Sequence, residues 1–203
     1  MRIALVSQRV DTFAERGERR DAVDQRLLDW VAWCDFLPVP VPNREDRVAA
    51  LWALVHPALV VLSGGNDLAA YGGDAPERDE TERALLTHAM RERVPLLGVC
   101  RGAQLILDTL GHELERVPGH VGARHSLRVD ERDRTVNSYH SWGCKSRDTI
   151  LHVLARSEDD VIEAFCHADM AMLGLMWHPE RELAFHEHDR GLVQRYLLER
   201  TKP

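Results

Sequence analysis

The first half of the chain alternates short apolar runs with stretches of helical periodicity. The apolar runs are nearly continuous and of strand length, which is typical of buried parallel strands. The predicted strands are residues 3–7, 58–62 and 95–99. Apolar positions recur three and four residues apart in the segments between and after them. The predicted helices are residues 20–36, 43–55 with Asn43 as N-cap, 79–93 and 101–110, and the proline-rich residues 37–42 are expected to be extended.

The second half has a different pattern, with several short strand-like segments and short connections. These segments are residues 125–130, 135–137, 151–156, 161–167 and 172–177, and a final amphipathic helix is predicted for residues 187–199. The whole pattern predicts an α/β fold with a doubly wound, mostly parallel central sheet and antiparallel additions in the second half. There is no internal repeat or linker, so we expect a single domain over residues 1–203.

Composition narrows the class of protein. The chain has 203 residues, of which 44% are hydrophobic and 29% charged, as in ordinary globular proteins. A net charge of −7 argues against a general nucleic-acid-binding protein. No apolar run is long enough to span a bilayer, and residues 1–6 lead directly into a strand rather than a signal peptide. We therefore expect a cytoplasmic protein with no nucleic-acid or membrane partner.

Cysteine and histidine spacing does not predict a metal site. The four cysteines form no C-x-x-C pair and are expected to be free thiols: Cys34, Cys100, Cys144 and Cys166. The cluster at residues 186–189 contains two histidines, but histidines two positions apart diverge on a helix. A polar helix start is therefore favoured there, and neither a metal nor a cofactor is expected.

One cysteine lies in a pattern that suggests a nucleophile. Cys100 is flanked by Gly98 and Gly102, directly after a predicted strand and before a predicted helix. This arrangement resembles a nucleophile elbow, in which a sharp turn needs glycines on both sides. The helix N-terminus would favour the thiolate, and the backbone N–H of Arg101 would point at a developing oxyanion. A core cysteine with closely packed glycines is the alternative, and the five residues alone do not decide.

A cysteine nucleophile needs a base with an orienting partner, and His178 and Glu180 provide both types of group. His178 follows an apolar strand, and Glu180 can accept the second ring N–H. Gly64 and Gly65 end another strand and could offer a second oxyanion N–H. All of these lie at carboxyl ends of predicted strands, where open α/β sheets build their sites.

These motifs resemble those of the class I glutamine amidotransferase superfamily. Ser63-Gly-Gly, Gly98-Val-Cys-Arg-Gly-x-Gln104 and Trp177-His-Pro-Glu180 occur in its order and spacing, over nearly the whole chain. The resemblance implies a flavodoxin-like fold. The motif L-S-G-G-N-D and residues 136–140 look like the gamma-glutamyl hydrolase-like branch, and the N-terminal S-Q-R…E-R-R-D-A pattern is similar to gamma-glutamyl-CDP-amidate hydrolases of bacterial capsule synthesis. One departure is Gly111-His112, where relatives often have two glycines.

The resemblance also implies roles for individual residues. Cys100 would attack a gamma-glutamyl carbonyl to form a thioester, His178 would move the proton, and Glu180 would fix the histidine tautomer. The glutamyl group would contact Gln104 and the loop formed by Asn137, Ser138, Tyr139 and His140. A helix-packing amide is the alternative for Gln104.

Two functions follow as alternatives. A stand-alone hydrolase would release an amine to water, and the resemblance implies a nucleotide-linked (CDP) phosphoramidate as a candidate for that amine. A glutaminase subunit would instead pass ammonia to a separate synthase. An arginine-rich segment follows the first strand, and its residues Arg19 and Arg20 could neutralise the phosphates of a nucleotide-linked leaving group. Ion pairs with Glu15, Glu18 and Asp21 are an equally good interpretation of these arginines.

Overall fold

The structure is a computed structural model that describes residues 2–201, and a seven-stranded sheet forms its centre. The strands of the chain are β1 (Arg2–Val6), β2 (Arg9–Phe13), β3 (Glu18–Ala22), β4 (Phe36–Pro40), β5 (Leu59–Leu62), β6 (Leu96–Val99), β7 (Glu115–Arg116), β8 (Val121–Val129), β9 (Arg132–Tyr139), β10 (Trp142–Gly143), β11 (Leu151–Arg156), β12 (Ile162–His167) and β13 (Met172–Leu175). The helices are α1 (Gln25–Trp33), α2 (Glu45–Val55), α3 (Pro76–Glu92), α4 (Arg101–Thr109) and α5 (Glu187–Val193), which continues as a π-helical turn over Gln194–Leu198.

The central sheet has the order β11-β12-β13-β6-β5-β1-β4. The five strands from β4 to β13 run parallel, and β12 and β11 are added antiparallel. Among the parallel strands the order by position in the chain is 2-1-3-4-5, which is the flavodoxin-like arrangement. The predicted fold class, including the antiparallel additions, is confirmed.

Helices cover both faces of the sheet and bury its alternating side chains. Val6 packs in the core that contains Trp30 of α1 and Leu192 of α5. Leu5, the neighbour of Val6 in β1, packs in the opposite core with Trp52 of α2. Each such buried aliphatic side chain contributes about 1.5–3 kcal/mol. Both faces of the strands are therefore apolar, which explains the continuous apolar runs in the sequence.

The structure corrects three local predictions. The polar segment after β1 is a hairpin of β2 and β3, not a loop, so α1 begins only at Gln25, where the Asp24 side chain caps it. Asn43 is not the N-cap of α2, because its side-chain amide donates to Oδ1 of Asp21 at 2.7 Å and the helix begins two residues later. Helix α3 begins earlier than predicted, at Pro76, since proline suits the first helical position.

The strand segments at 125–130 and 135–137 are parts of a longer hairpin, β8 and β9, which lies outside the central sheet. Among residues 2–201, no helix combines the length and apolar character needed to cross a bilayer.

Candidate active site

Cys100 lies on a strained turn between β6 and α4. Its backbone has φ 52° and ψ −106°, a conformation that costs a non-glycine residue about 1–3 kcal/mol. The flanking glycines permit the turn, because a Cβ at Gly98 would lie 2.6 Å from the backbone N of Ala103 and a Cβ at Gly102 would overlap the carbonyl of Leu62. Cys100 is 5% exposed, but a core cysteine would not need this backbone. The geometry is that of a nucleophile elbow.

His178 is oriented by Glu180 in a buried pair. Nδ1 of His178 lies 2.6 Å from Oε1 of Glu180, and the two side chains are 2% and 3% exposed. The backbone between them bends into a 3₁₀ turn at Pro179–Arg181, which brings a side chain two positions ahead back to the ring. The Cys100 thiol is close enough to the same ring to be among the groups that raise the pKa of His178. Cysteine, histidine and glutamate thus form one connected series.

The pKa of His178 reflects these two neighbours. Burial lowers the pKa, but the charge and hydrogen bond of Cys100, together with those of Glu180, outweigh burial and raise it to about 9. The imidazolium form of His178 is therefore favoured at neutral pH. Burial raises the pKa of three other cysteine thiols, to about 12 for Cys34 and above the usual value for Cys144 and Cys166.

The Ser63-Gly64-Gly65 turn lies directly against the histidine ring. A Cβ on Gly64 would be 2.6 Å from Cε1 of His178, so this close approach requires glycine. The turn is at the carboxyl end of β5, beside the elbow that follows β6, and these strands are paired. Gly64 and Gly65 therefore lie at the same end of the sheet as the elbow, and their role at an oxyanion, like that of the Arg101 backbone N–H, stays a prediction.

Arg78 holds this turn from behind, a role that sequence reasoning missed. Its buried guanidinium donates to the carbonyl oxygens of Ser63 at 2.7 Å and of Gly64 at 3.0 Å, and also to that of Gly65. Burial lowers the pKa of Arg78 to about 9 against the opposing effect of Asp79. The sequence signal was the spacing of Arg78 and Glu82, four residues apart on α3, whose side chains pair at 3.0 Å.

A buried ionic network continues beneath the elbow. The Arg101 side chain pairs with Asp79 and Glu82, and Ser7 donates its hydroxyl to Glu82 at 2.6 Å. Burial lowers the pKa of Arg101, and the positive charge of Arg78 lowers it further. Two arginines and two carboxylates balance in charge, and breaking one pair would leave a buried charge uncompensated.

The residues predicted to contact the glutamyl group differ in their exposure to solvent. Gln104, on the first turn of α4, is 3% exposed and donates its amide to the Trp142 carbonyl at 2.9 Å. Tyr139 is 47% exposed, and its ring lies edge-on to His178 with centroids 5.9 Å apart. Of these two, Tyr139 is the one open to a ligand in this conformation.

The remaining residues of this predicted loop are buried, and Asn137 and Ser138 belong to strand β9 rather than to a loop. Ser138 donates its hydroxyl to the His120 carbonyl at 2.7 Å, and Nδ1 of His140 lies 3.0 Å from the Trp142 carbonyl. The Asn137 amide brackets the backbone of His178, accepting from its N–H at 3.0 Å and donating to its carbonyl at 2.8 Å. Asn137 therefore positions the histidine, and contact with substrate stays a prediction for all of these residues.

The hairpin arginines differ in their contacts. Nε of Arg19 donates to Glu77 at 2.8 Å, and Nε of Arg20 donates to Glu18 at 2.7 Å. Arg9 pairs with Asp11 at 2.7 Å and also lies against the Gly64–Gly65 turn, since a Cβ on Gly65 would be 3.2 Å from its Cδ. Arg9 is therefore the hairpin arginine that the structure brings next to Gly65 of the candidate site.

The chain is similar to known proteins over most of its length. The glutamine amidotransferase class-I family model matches residues 21–196. The chain is 35% identical over 185 residues to a gamma-glutamyl-CDP-amidate hydrolase of Campylobacter jejuni, covering 87% of this chain and 89% of the relative. It is 25% identical over 223 residues to the gamma-glutamyl-gamma-aminobutyrate hydrolase PuuD of Escherichia coli K12, covering 90% and 87%. A crystal structure of a glutamine amidotransferase from Thermotoga maritima matches with a TM-score of 0.65 at 16% identity, covering 89% and 77%, which bears on the fold alone.

Proposed function

The chain belongs to the class I glutamine amidotransferase family, and from this premise we propose that it is a cysteine-dependent hydrolase of gamma-glutamyl amides. The observation that carries the proposal is the series Cys100, His178 and Glu180, with the cysteine on an elbow at φ 52° and Nδ1 of the histidine 2.6 Å from Glu180. Relatives named as gamma-glutamyl hydrolases support the reaction type.

The first half-reaction forms a thioester. The Cys100 thiolate attacks the gamma-carbonyl carbon, and the backbone N–H groups of Arg101 and the Gly64–Gly65 turn stabilise the negative oxygen. As the tetrahedral intermediate collapses, the C–N bond breaks and protonated His178 gives its proton to the leaving nitrogen. The amine departs, and glutamate remains attached to Cys100 through its gamma-carbonyl.

The second half-reaction hydrolyses the thioester and regenerates the free enzyme. Neutral His178 takes a proton from water, whose oxygen attacks the thioester carbonyl, and the C–S bond breaks to release glutamate. The thiolate is restored beside a protonated histidine. Glu180 accepts a hydrogen bond from the Nδ1–H group throughout, which keeps the ring in one orientation.

The leaving group that we propose is a nucleotide-linked phosphoramidate. The Campylobacter jejuni relative, named for such a substrate, supports this choice. Two partly exposed arginines also support it: Arg9 beside Gly65, and Arg181, whose guanidinium lies 4.7 Å above the ring of Tyr139. One arginine beside the Gly64–Gly65 turn and another beside Tyr139 suit a diphosphate.

The test is hydrolysis by the purified protein alone. We expect it to release glutamate from gamma-glutamyl amides, with the highest kcat/KM for the nucleotide-linked amidate, and Cys100→Ala to abolish the release. Cys144→Ala is the matched control, since Cys144 is a buried cysteine outside the site. Glutamate release that is absent in the isolated protein and starts only when a synthase is added would contradict the hydrolase and favour an ammonia-delivering subunit.

A further inference from the structure

A second cluster of chemically active side chains lies behind the loop that carries Tyr139. His120 precedes β8, His125 lies within it, and Glu163 comes from β12. One potential ligand atom from each of the three residues lies within 4.8 Å of the other two. His120 and Glu163 are 2% and 0% exposed, so the charged carboxylate is enclosed.

The inward-facing atoms of this cluster lack hydrogen bonds among the residues that the structure describes. These atoms are Nδ1 of His120, Nε2 of His125 and both carboxylate oxygens of Glu163. Nδ1 of His120 is 3.1 Å from Oε1 of Glu163, close enough for charge attraction but without hydrogen-bond geometry. Buried polar atoms are seldom left in this way, and several of them converging on one point indicate a ligand.

The outward-facing nitrogen of His120 has a carboxylate neighbour, as the second ring nitrogen of a metal-binding histidine usually has. Nε2 lies 3.2 Å from Oδ1 of Asp159, and that carboxylate also accepts the Ser157 hydroxyl at 2.6 Å. A carboxylate on one imidazole nitrogen fixes the tautomer and directs the lone pair of the other nitrogen inward. The Asp159 carboxylate therefore contacts one ring nitrogen of His120, and the other ring nitrogen faces the enclosed point shared with Glu163 and His125.

We propose that His120, His125 and Glu163 bind a divalent transition-metal ion of the zinc type. Two imidazoles and a carboxylate are a donor set that suits zinc, with water in the fourth position. Tetrahedral ligands about 2.0–2.1 Å from zinc stand about 3.4 Å apart, so the side chains need to draw together by about 1 Å. The sequence does not predict this site, because its ligands come from separate strands.

A surface cleft would give the ion access to the cluster, and its binding would affect the segment that carries Tyr139. The cluster opens through Gly119, His125 and Asp159 to a surface cleft of about 480 Å³. The His120 carbonyl accepts the Ser138 hydroxyl at 2.7 Å and the backbone N–H of His140 at 3.1 Å. A metal on His120 would therefore stiffen the loop that presents Tyr139 beside His178, without taking part in the chemistry.

The test is direct metal binding by tag-free, chelator-stripped protein. We expect the full chain to retain about one equivalent of Zn²⁺ through gel filtration, and Co²⁺ to give the visible absorption bands of four-coordinate nitrogen and oxygen ligation. His125→Asn should weaken Zn²⁺ binding about 100-fold or more. Asp159→Asn, a surface change, should weaken it about 10–100-fold. The controls are His152→Asn and Glu158→Gln, which alter an exposed histidine and an exposed carboxylate near the same strands.

Two results would overturn the proposal. One is uptake by the stripped wild-type protein well below one equivalent, which would leave the cluster as an ion pair between His120 and Glu163. The other is Zn²⁺ affinity in His125→Asn and Asp159→Asn equal to that of the two controls, which would place any bound metal elsewhere. Circular dichroism of each variant separates loss of the site from loss of the fold, and the wild-type measurement does not depend on any variant.

Discussion

Nδ1 of His178 lies 2.6 Å from Oε1 of Glu180, and this contact exists because a 3₁₀ turn folds the residues after the histidine back onto its ring. The carboxylate thereby fixes one ring nitrogen as the donor and leaves the other for the Cys100 thiol. A local turn therefore sets the orientation of the ring, while Asn137 of β9 holds the backbone of the same residue.

Replacing Glu180 with glutamine should lower kcat by about 10²–10⁴-fold, because an amide can hold the ring in the wrong tautomer. KM should change much less, since Glu180 does not touch the substrate. Steady-state kinetics on a gamma-glutamyl amide measures both quantities. Glu187→Gln, at an exposed carboxylate, is the control. A Glu180→Gln enzyme with wild-type kcat would contradict the orienting role.

The raised pKa of His178 predicts a pH dependence of stability. A group whose pKa rises on folding, here from 6.5 to about 9, stabilises the fold fully below its unfolded value. That contribution should disappear as the pH rises from about 6.5 through about 9. Urea unfolding across this range should show falling stability in the wild type and a smaller slope in His178→Gln.

The interaction between His178 and Cys100 can also be tested by changing the cysteine. Because the Cys100 charge and hydrogen bond raise the pKa of His178, Cys100→Ala should lower that pKa in an NMR titration of the imidazole. An unchanged His178 pKa in Cys100→Ala would mean that the thiol and the imidazole do not interact.

Adding one methyl group at Gly64 should displace the base. The new Cβ would lie 2.6 Å from Cε1 of His178, so the ring has to move. A shift of about 1 Å can cost about 10²-fold in rate, and we expect a loss of kcat of this size. Gly191→Ala is the matched control, because nothing lies within 4 Å of its added Cβ. Equal activity of the two variants would show that the ring has room to adjust.

Arg78→Lys tests the support of the oxyanion turn. Lysine keeps the charge but loses the planar fork that holds several carbonyl oxygens at once. We expect kcat to fall about 10-fold or more, and the free energy of unfolding to fall by about 1–3 kcal/mol as carbonyls are left unpaired. Arg83→Lys is the control on the same helix, where a partly exposed arginine pairs with Asp108 at 2.5 Å. Steady-state kinetics of both variants measures kcat, and urea unfolding of both measures the free energy of unfolding. Equal values for the two variants would contradict the role of Arg78.

Arg9→Gln tests phosphate recognition by the hairpin. We expect KM for the nucleotide-linked amidate to rise about 10-fold, since a charge-assisted hydrogen bond contributes about 1.5–3 kcal/mol. The change for gamma-glutamyl anilide, which has no phosphate, should be much smaller. The double variant Arg19→Gln and Arg20→Gln should have the weaker effect, because the arginine in contact with the Gly65 turn is Arg9. A stronger effect of the double variant would return the phosphate contact to the positions predicted from sequence.

The sequence by itself determined the fold class and identified the candidate nucleophile. Continuous apolar runs such as Leu59–Leu62 require burial on both faces, and only a sheet with helices on both sides provides that. Gly98 and Gly102 mark the elbow because a side chain at either position would clash with the backbone. These are local or periodic constraints, so they can be read from the chain directly.

Only the tertiary structure decided which distant groups meet. Arg78 acts on the carbonyls of Ser63, Gly64 and Gly65 across the gap between α3 and the end of β5, and no spacing in the sequence relates them. Arg9 is distinguished from Arg19 by hairpin pairing, which directs one towards Gly65 and the other towards Glu77. Periodicity reports which face of an element is buried, whereas the partners of a buried polar side chain depend on how separate elements pack together.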